Sequence, residues 1–519
     1  MSTAWWRLGV AFAAGASLNL AFAPFGWWPL GVLIPAILFV LIRGLPAWRA
    51  GWIGAAFGAG FFGFGTYWLY TCIHVFGLVP IWLTVILQSG LIISMAMYCA
   101  ALCFLANRFW LKAGATRDWL VLPLLWVLFE WLRGWLLSGF PWLSLGYAMI
   151  DSPIAGWAPL FGVYGVTWAA LCLSAALSIL TSRNVPLPRS LVAFGVMLLV
   201  LGLPLLLSRH EWTHPAGTAL PIATVQGAVS QDQKWQAKNR DATLSRYSKL
   251  TEQAWGARLI VWPEAALPVL ANSIPDYLRQ LKEQGRAHGA DLAIGLLNYN
   301  PATQQFYNGL LVLSESGGGW YYKRHLVPFG EYFPVPAFVR TWLRLMSLPY
   351  DDMTPGTDDQ PTLAAAGQKL GLTICYEDAF GSKQLKVLRE ATLLVNVTNN
   401  AWYGDSTAPH QHLQIARMRA LEAGRYLVRA ANDGISAVIG PQGDIVARLP
   451  QFQEAVLRAD VRPMQGLTPY ARLGNYPVVS AAALLLLWAV WRRRRGASDV
   501  LKACFESQRS ATSRMRPAT

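Results

Sequence analysis

Charged residues are scarce in this sequence. Asp, Glu, Lys and Arg make up 14% of its 519 residues, whereas hydrophobic residues make up 54% and include 25 Trp. So apolar a composition is not typical of a soluble protein, whose surface needs more charge. The composition therefore excludes a wholly soluble protein and predicts a membrane protein.

Cysteine is also scarce, and its placement is uneven. The long polar segment, about 210–475, contains a single cysteine, Cys375. The other five lie in apolar runs or in the basic tail: Cys72, Cys99, Cys103, Cys172 and Cys504. A thiol without a partner in its own segment forms no disulfide there. The sequence thus excludes a disulfide scaffold for this segment and makes Cys375 a candidate nucleophile.

The chain has no internal repeat and no Gly-rich phosphate loop, which excludes a repeat architecture and a P-loop enzyme. Acidic residues number 28 against 43 Lys and Arg, for a net charge of +15. Residues 492–519 carry eight Lys or Arg against two Asp or Glu. The Lys and Arg residues in the short loops between apolar runs are explained by membrane topology. The charge therefore predicts no nucleic-acid binding. The Arg492–Arg495 run predicts a stop-transfer anchor that also favours anionic lipid.

Apolar runs predict the domain organisation, because about 20 apolar residues span a bilayer. About eight runs qualify, and they cover about 8–24, 28–44, 51–75, 79–106, 119–138, 159–181, 190–207 and 477–491. We expect a polytopic α-helical membrane bundle over 1–209, a separate domain over 210–475, an eighth span over 476–495 and a basic cytoplasmic tail over 496–519. The alternative for the first run is a signal peptide, but no clean Ala-x-Ala site follows it.

The orientation of the bundle follows from Lys and Arg in its short loops. Alternate loops are basic, and they contain Arg43 and Arg49, then Arg108, Lys112 and Arg117, then Arg183 and Arg189. The loops around 24–28 and 75–80 contain no Lys or Arg. With eight spans, both termini are cytoplasmic and the 210–475 domain faces outward.

An aromatic segment, Gly139–Tyr147, follows the fifth run and contains Trp142 and Tyr147. Trp and Tyr favour the membrane interface, so this segment is either an aromatic belt or a guide for lipid substrates. Nearby, Glu130 and Arg133 are three residues apart on one helix face. They form either a paired structural clasp or part of a substrate path.

Segments of the 210–475 domain alternate between strand-like and helix-like patterns. Strands are predicted at Pro221–Gln226, Leu259–Trp262, Leu292–Leu297, Asn308–Ser314, Leu370–Cys375, Leu393–Val397 and Ala437–Gly440. A hairpin turn is expected at Gly317–Gly319, and helices at about 238–255, 274–288, 381–390 and 408–425. This alternation is typical of a layered α/β domain.

Three reactive residue types stand at predicted strand ends: Glu264, Lys323 and Cys375. Open α/β folds place reactive groups at strand ends. A thiol attacks as thiolate, and a nearby ammonium lowers its pKa. The carboxylate takes the thiol proton and later returns it to a leaving group, while the ammonium stabilises an oxyanion. The three residues can therefore form an acyl-transfer set, although each alone is more often solvated or buried and inert.

The sequence around these residues resembles the nitrilase (carbon–nitrogen hydrolase) superfamily over about 220–460. The resemblance rests on Glu264 in Trp-Pro-Glu, Lys323 in Tyr-Lys-Arg-His-Leu-Val-Pro-Phe-Gly-Glu, and Cys375 in Ile-Cys-Tyr-Glu. Further matching pieces are Val225–Gly227 with Trp235, Phe306–Asn308, Asn399–Gly404 and the Gly139–Tyr147 segment. With its apolar runs, the whole chain is similar to the integral-membrane branch of that superfamily, the apolipoprotein N-acyltransferases.

The resemblance implies an outward-facing αββα sandwich and a specific reaction. A fatty acyl chain moves from a phospholipid to the α-amine of the diacylglyceryl-modified N-terminal cysteine of an apolipoprotein. Ping-pong kinetics through a Cys375 thioester are expected, with no cofactor and no metal. The implied location is the bacterial inner membrane with a periplasmic catalytic domain. We expect a monomer, because the membrane bundle hinders the assembly seen in soluble relatives.

The resemblance also suggests supporting residues. Lys323 and the Tyr376 backbone N–H are expected to stabilise the oxyanion. Glu331 and Glu377 are expected near the triad, where a second carboxylate orients Lys323, raises the pKa of Glu264 or forms a plain salt bridge. Asn308 is a weaker candidate for orienting a carboxylate. Water must be screened from the thioester, and the candidates are Trp235, Tyr376 and the 338–350 stretch with Trp342; ordinary packing is the alternative.

Rival hypotheses use the same sequence features. A membrane-anchored amidase or nitrilase would share the triad and use water as acceptor, which the triad alone does not exclude. A cysteine protease needs a Cys–His pair, for which His410 and His412 are available, but it leaves Glu264 and Lys323 unexplained. A metal site at Asp405, His410 and His412 is disfavoured because residues i and i+2 do not share a helix face. A non-enzymatic scaffold predicts a broken triad.

Overall fold

The computed structural model describes residues 5–110, 117–181, 186–207, 210–332 and 352–514, with side chains up to 495. The candidate lid residue Trp342 lies outside the described residues. Helices fill the first part of the chain: α1 Trp5–Leu18, α2 Leu30–Leu41, α3 Ala47–Gly65, α4 Ile81–Trp110, α5 Leu122–Arg133, α6 Leu145–Ala148, α7 Ala158–Leu180 and α8 Leu187–Leu207. Each of the first seven predicted apolar runs thus contains a helix.

Three helical segments in the described ranges are long and apolar enough to cross a membrane: Ile81–Trp110, Pro153–Leu180 and Leu187–Leu207. The other helices of this region are shorter or less apolar. By length and composition, these three segments could cross a membrane. The count of eight spans stays a prediction.

Glycines let α3 pack closely against α1 and α4. A side chain at Gly60 would collide with the Phe12 carbonyl of α1, and one at Gly54 would collide with the Cys99 carbonyl of α4. Small residues permit such close approach between helix backbones.

Within the described ranges, the second part of the chain contains two six-stranded sheets. Its strands are β1 Thr213–Pro215, β2 Leu220–Gln226, β3 Leu259–Val261, β4 Asp291–Asn300, β5 Gln305–Leu313, β6 Gly319–Tyr322, β7 Leu363–Ala365, β8 Gln368–Ile374, β9 Leu393–Thr398, β10 Leu427–Ala431, β11 Ala437–Ile439, β12 Ile445–Arg448, β13 Ala455–Val461 and β14 Met464–Gly466. One sheet has the order β13-β2-β3-β4-β5-β6 and the other β12-β11-β10-β9-β8-β7, while β1 pairs with β14. Strands β2, β3 and β4 run parallel, as do β8, β9 and β10.

Helices cover the outer face of each sheet, which gives four layers. The helices of this part are α9 Gln231–Lys234, α10 Arg240–Ala254, α11 Pro275–Ala287, α12 Leu385–Leu388, α13 Ala408–Ala423 and α14 Pro469–Leu473. The last helix, α15 Tyr476–Arg514, packs instead against α5 and α7 of the bundle. One core joins the facing sides of the two sheets, including Val261 and Val395. Separate cores join the first sheet to α10 and α11 and the second sheet to α12 and α13. The αββα order implied by the resemblance is therefore the observed one.

Every predicted strand is present, but the predictions missed β1, β7, β10, β12, β13 and β14 and overestimated one helix. The helix expected over 381–390 consists of a 3-10 turn, Gly381–Gln384, and the single turn Leu385–Leu388. Strand β10 was not predicted. Its burial is complete, but Arg429 interrupts the apolar pattern, and that guanidinium is hydrogen-bonded to Asn396 and paired with Asp378 in the interior.

Candidate active site

Glu264 lies in the turn that follows β3, where three strand ends meet. Its Oε1 accepts hydrogen bonds from the Asn308 amide at 2.7 Å and from Lys323 Nζ at 3.3 Å. Its Oε2 accepts one from the Asn399 backbone N–H at 2.8 Å. Asn308 belongs to β5, Lys323 follows β6 and Asn399 follows β9. The carboxylate is buried and its direction is fixed from both sheets.

Lys323 is fully buried between two carboxylates. Its Nζ lies 3.3 Å from Glu264 Oε1 and 2.8 Å from Glu331 Oε1. Burial alone would lower its pKa, but the charges of Glu331 and Glu264 raise it well above the ordinary value. The side chain is therefore an ammonium at every physiological pH, and it is available as a fixed positive charge.

Opposing effects act on the pKa of Glu264. Burial would raise it, but the Lys323 ammonium, the Asn308 amide and the Asn399 N–H together lower it below the ordinary value. Glu264 is thus an ionised carboxylate at neutral pH, as a general base must be.

Cys375 stands at the point where β8 ends and a 3-10 helix, Cys375–Ala379, begins. Its φ of 51° is left-handed, a conformation that a non-glycine residue keeps only when its surroundings enforce it. Burial, helped by the negative charge of Glu264, raises the pKa of the thiol to about 12 against the lowering effect of Lys323. The ammonium lowers the pKa of the thiol, as expected, but burial and the charge of Glu264 outweigh this effect. The thiol is neutral, and it must lose its proton to a base during attack.

Glu331 and Asn308 support this arrangement. Glu331 binds Lys323 through Oε1, which also accepts from the Asn308 amide at 2.9 Å, and its Oε2 accepts the Val327 N–H at 2.8 Å. The pKa of Glu264 is lowered overall, so any raising effect of a neighbouring carboxylate is outweighed by Lys323 and the hydrogen-bond donors. Glu331 orients the ammonium.

Glu377 connects the Lys323 segment to the Cys375 turn. Its Oε1 accepts from the backbone N–H groups of Arg324 at 2.7 Å and His325 at 3.2 Å. Its Oε2 accepts from the Ile374 N–H at 2.8 Å and the Tyr321 hydroxyl at 2.9 Å. The Arg324 guanidinium is 4.0 Å away, so four hydrogen bonds rather than a salt bridge define this carboxylate's role. It fixes the residues on either side of the catalytic candidates.

The Gly139–Tyr147 segment lies against the Cys375 turn. The Tyr376 hydroxyl donates to the Gly139 carbonyl at 3.2 Å, and its ring stacks on Trp142 with centroids 6.2 Å apart. Trp142 is 1% exposed and donates its indole N–H to Gln411 at 2.7 Å, and Tyr147 is 2% exposed. Both side chains are inside the protein, so an aromatic belt facing lipid is the wrong interpretation of these two residues.

Glu130 and Arg133 hold this segment from the bundle side. Glu130 accepts from the Leu145 N–H at 2.9 Å and from Thr167 at 2.9 Å. Arg133 donates to the carbonyls of Phe140 and Trp142. Of the two alternatives for this pair, the contacts favour the structural clasp.

Trp235 follows α9 and is 48% exposed, so its ring is available to a substrate or a lid. The preceding residue, Lys234, was not predicted, yet it is fully buried and its Nζ lies 3.5 Å from the Glu264 carbonyl oxygen. Burial lowers the pKa of Lys234 to about 8. A lysine beside a tryptophan gives no sequence signal of such burial.

The histidines do not form a protease dyad. His412 Nε2 contacts the Cys375 carbonyl oxygen at 3.1 Å, and His410 Nε2 contacts Gln451 at 3.1 Å. Within the described ranges, no group of three or more His, Cys, Asp or Glu could hold a metal ion.

The chain combines a helical bundle with an αββα domain that contains a buried Glu, Lys and Cys. These features define the class of membrane-associated carbon–nitrogen hydrolase-type enzymes. Family models agree: "Carbon-nitrogen hydrolase" matches residues 222–470, and "Apolipoprotein N-acyltransferase N-terminal domain" matches residues 14–176.

Full-length relatives narrow the class. The chain is 40% identical over 501 residues to the apolipoprotein N-acyltransferase of Methylococcus capsulatus, covering 94% of this chain and 97% of the relative. It is 41% identical over 491 residues to that of Azotobacter vinelandii, covering 93% and 95%. The chain belongs to the apolipoprotein N-acyltransferase family. Saccharomyces cerevisiae Nit3, a nitrilase superfamily member, matches with a TM-score of 0.37 at 20% identity, over 49% of this chain and 93% of Nit3.

Proposed function

We propose that this enzyme transfers a fatty acyl chain from a membrane phospholipid to the α-amine of a diacylglyceryl-modified N-terminal cysteine of apolipoproteins, through a thioester on Cys375. The observation that carries the proposal is the buried Glu264–Lys323 pair, whose charges act on the Cys375 thiol. The Gly139–Tyr147 segment of the helical bundle packs directly on the turn that bears this thiol.

The first half-reaction forms the thioester. The Glu264 carboxylate takes the thiol proton as the sulfur attacks the donor ester carbonyl, since the thiol is neutral at rest. Lys323 and the Tyr376 backbone N–H stabilise the oxyanion of the tetrahedral intermediate. Collapse breaks the ester C–O bond, and Glu264 returns the proton to the departing lysophospholipid oxygen.

The second half-reaction forms the amide. The apolipoprotein amine attacks the thioester carbonyl and gives a proton to Glu264, with the same two groups at the oxyanion. Collapse breaks the C–S bond and restores the protonated thiol. An amide is more stable than a thioester, which makes this half favourable.

The membrane arrangement is part of the proposal. We place about eight spans in the bacterial inner membrane, with both termini in the cytoplasm and the catalytic domain in the periplasm. The Lys and Arg bias of alternate loops supports this orientation. A monomer is expected. Single-cysteine labelling at positions 27 and 49 in spheroplasts tests the orientation, because only the outward position should react with an impermeant maleimide.

The acyl-enzyme is the direct test of the chemistry. The purified protein is incubated with a phospholipid of one defined acyl chain, without acceptor, and its intact mass is measured. We expect a hydroxylamine-labile gain of one acyl mass that is absent from Cys375→Ala, and a diacylglyceryl peptide should remove it. No gain together with hydrolysis of an amide substrate would replace the acyltransferase by a membrane-anchored amidase.

A further inference from the structure

His412 is a fully buried histidine in contact with the backbone of the nucleophile. Its Nε2 lies 3.1 Å from the Cys375 carbonyl oxygen, and its Nδ1 lies 3.2 Å from the Asn400 side-chain amide nitrogen. The residue lies in the first turns of α13. None of the catalytic roles above uses it.

The contacts at both ends of the imidazole fix its tautomer. The Asn400 oxygen accepts from Arg429 at 3.2 Å, so the Asn400 nitrogen faces His412 and donates to Nδ1. A carbonyl oxygen only accepts, so Nε2 carries the proton and donates to Cys375. Burial and the charges of Arg429 and Lys323 lower the pKa of His412 well below its ordinary value, which keeps this neutral form at physiological pH.

The carbonyl of Cys375 and the N–H of Tyr376 belong to one planar peptide group. In a trans peptide these two bonds point in opposite directions. A donor on the carbonyl oxygen therefore fixes where the Tyr376 N–H points, and it also polarises the peptide so that this N–H becomes a stronger donor. As the second residue of the 3-10 helix, Tyr376 has no acceptor for that N–H within the helix.

We propose that His412 is a positioning residue that orients and polarises the Cys375–Tyr376 peptide so that its N–H stabilises the oxyanion in both half-reactions. This inference rests on the proposed function, because it takes Cys375 as the acylated nucleophile. The left-handed φ of Cys375, 51°, supports it, since such a backbone needs an external restraint to keep one orientation.

The helical bundle contributes to the placement of His412. The Trp142 ring lies 5.4 Å from the imidazole centroid, and its indole N–H bonds Gln411, the residue before His412. Trp142 also stacks on Tyr376. One side chain of the bundle thus packs on both partners of the restrained peptide group.

Two amide variants separate the donor at Cys375 from the rest of the histidine. His412→Gln reaches as far as Nε2 and keeps a donor to the Cys375 carbonyl. His412→Asn reaches only as far as Nδ1 and loses it. The single-turnover rates of acyl-enzyme formation and of its clearance by a diacylglyceryl peptide are measured for both. We expect His412→Asn to slow each step about 10- to 100-fold, because one oxyanion donor is weakened, and His412→Gln to stay within about fivefold of wild type.

Alkylation of Cys375 by iodoacetamide separates a positioning role from a merely structural one. If His412 only maintained the structure around Cys375, its loss would slow alkylation and acyl transfer alike. Displacement at iodoacetamide forms no oxyanion, so its rate at Cys375 should stay within about twofold in His412→Asn while acyl transfer falls. Equal losses in alkylation and acyl transfer, or equal acyl-transfer rates in the two amide variants, would overturn the inference. His410→Asn, on the same helix but bonded to Gln451, is the matched control and should behave as wild type.

The same experiment distinguishes the two proposals. If wild type forms no acyl-enzyme, the proposed function fails. If wild type forms it and His412→Asn forms it equally fast, only the role of His412 fails.

Discussion

Asn308 donates a hydrogen bond of 2.7 Å to the Glu264 carboxylate, and its amide nitrogen also donates to Glu331 at 2.9 Å. One amide thus fixes the candidate base and the carboxylate that orients Lys323. The arrangement explains how a buried carboxylate remains ionised: the Lys323 ammonium, the Asn308 amide and the Asn399 N–H stabilise its charged form.

Replacing Asn308 by Leu should raise the pKa of Glu264, because a hydrogen bond to the charged form is lost. Glu264 must be ionised to act, so the acid limb of the kcat/KM profile should move upward by about half to one pH unit. The profile is measured with a defined phospholipid and peptide. Asn298→Leu is the control, because that amide bonds the Tyr322 hydroxyl. An unchanged acid limb would remove Glu264 from the role of base.

Glu264→Gln should change thiol reactivity and acyl transfer in opposite directions. The negative charge of Glu264 raises the pKa of Cys375, so its removal should lower that pKa and speed iodoacetamide alkylation at pH 8 by up to about tenfold. Acyl transfer should be lost, since no base remains. In wild type, with a thiol pKa of about 12, alkylation should rise steadily from pH 7 to pH 10. A plateau near neutral pH would contradict a protonated resting thiol. Cys375→Ala gives the background from the other cysteines.

Glu377→Gln should destabilise the catalytic domain. Four donors converge on the two oxygens of Glu377. In the glutamine variant an NH2 group replaces one of these oxygens, so two of the donors would face another donor instead of an acceptor. We expect a loss of about 1–3 kcal/mol from the unsatisfied groups, seen as a lower melting temperature in detergent, together with slower acyl-enzyme formation. Glu390→Gln makes the same change at an exposed pair with Lys369 and should alter neither. Equal stabilities of the two variants would show that Glu377 does not fix the loops.

Trp142→Phe tests the contact between the bundle and the catalytic domain. It keeps an aromatic ring but leaves the Gln411 oxygen without its donor, at a cost of about 1–3 kcal/mol. Trp142→Ala should cost about 3–5 kcal/mol, because a large buried ring is removed. Thermal unfolding in detergent measures both. Trp27→Ala, at a ring 59% exposed in the protein, is the comparison, and a similar loss there would indicate general sensitivity to tryptophan removal.

Much of the fold could be predicted because its signals are local. Strand β3 is a continuous apolar run, and α11 and α13 have clear starts and ends, so these elements were expected within a few residues of their positions. Strand β10 could not be found, because the partners that let Arg429 be buried come from elsewhere in the chain: Asp378 pairs with its charge and Asn396 accepts its hydrogen bond. The short helix at Leu385–Leu388 was overestimated, because its length is limited by packing rather than by propensity.

The sequence by itself identified the candidate catalytic residues. Glu264, Lys323 and Cys375 stand at strand ends in specific motifs, and strand ends meet in a layered α/β domain. Only the tertiary structure decided their protonation states and which other residues hold them in place. The pKa of the thiol depends on burial and on charges distant in sequence. Likewise, His412 reaches the Cys375 carbonyl and Trp142 reaches Gln411 only after the two halves of the chain have packed together.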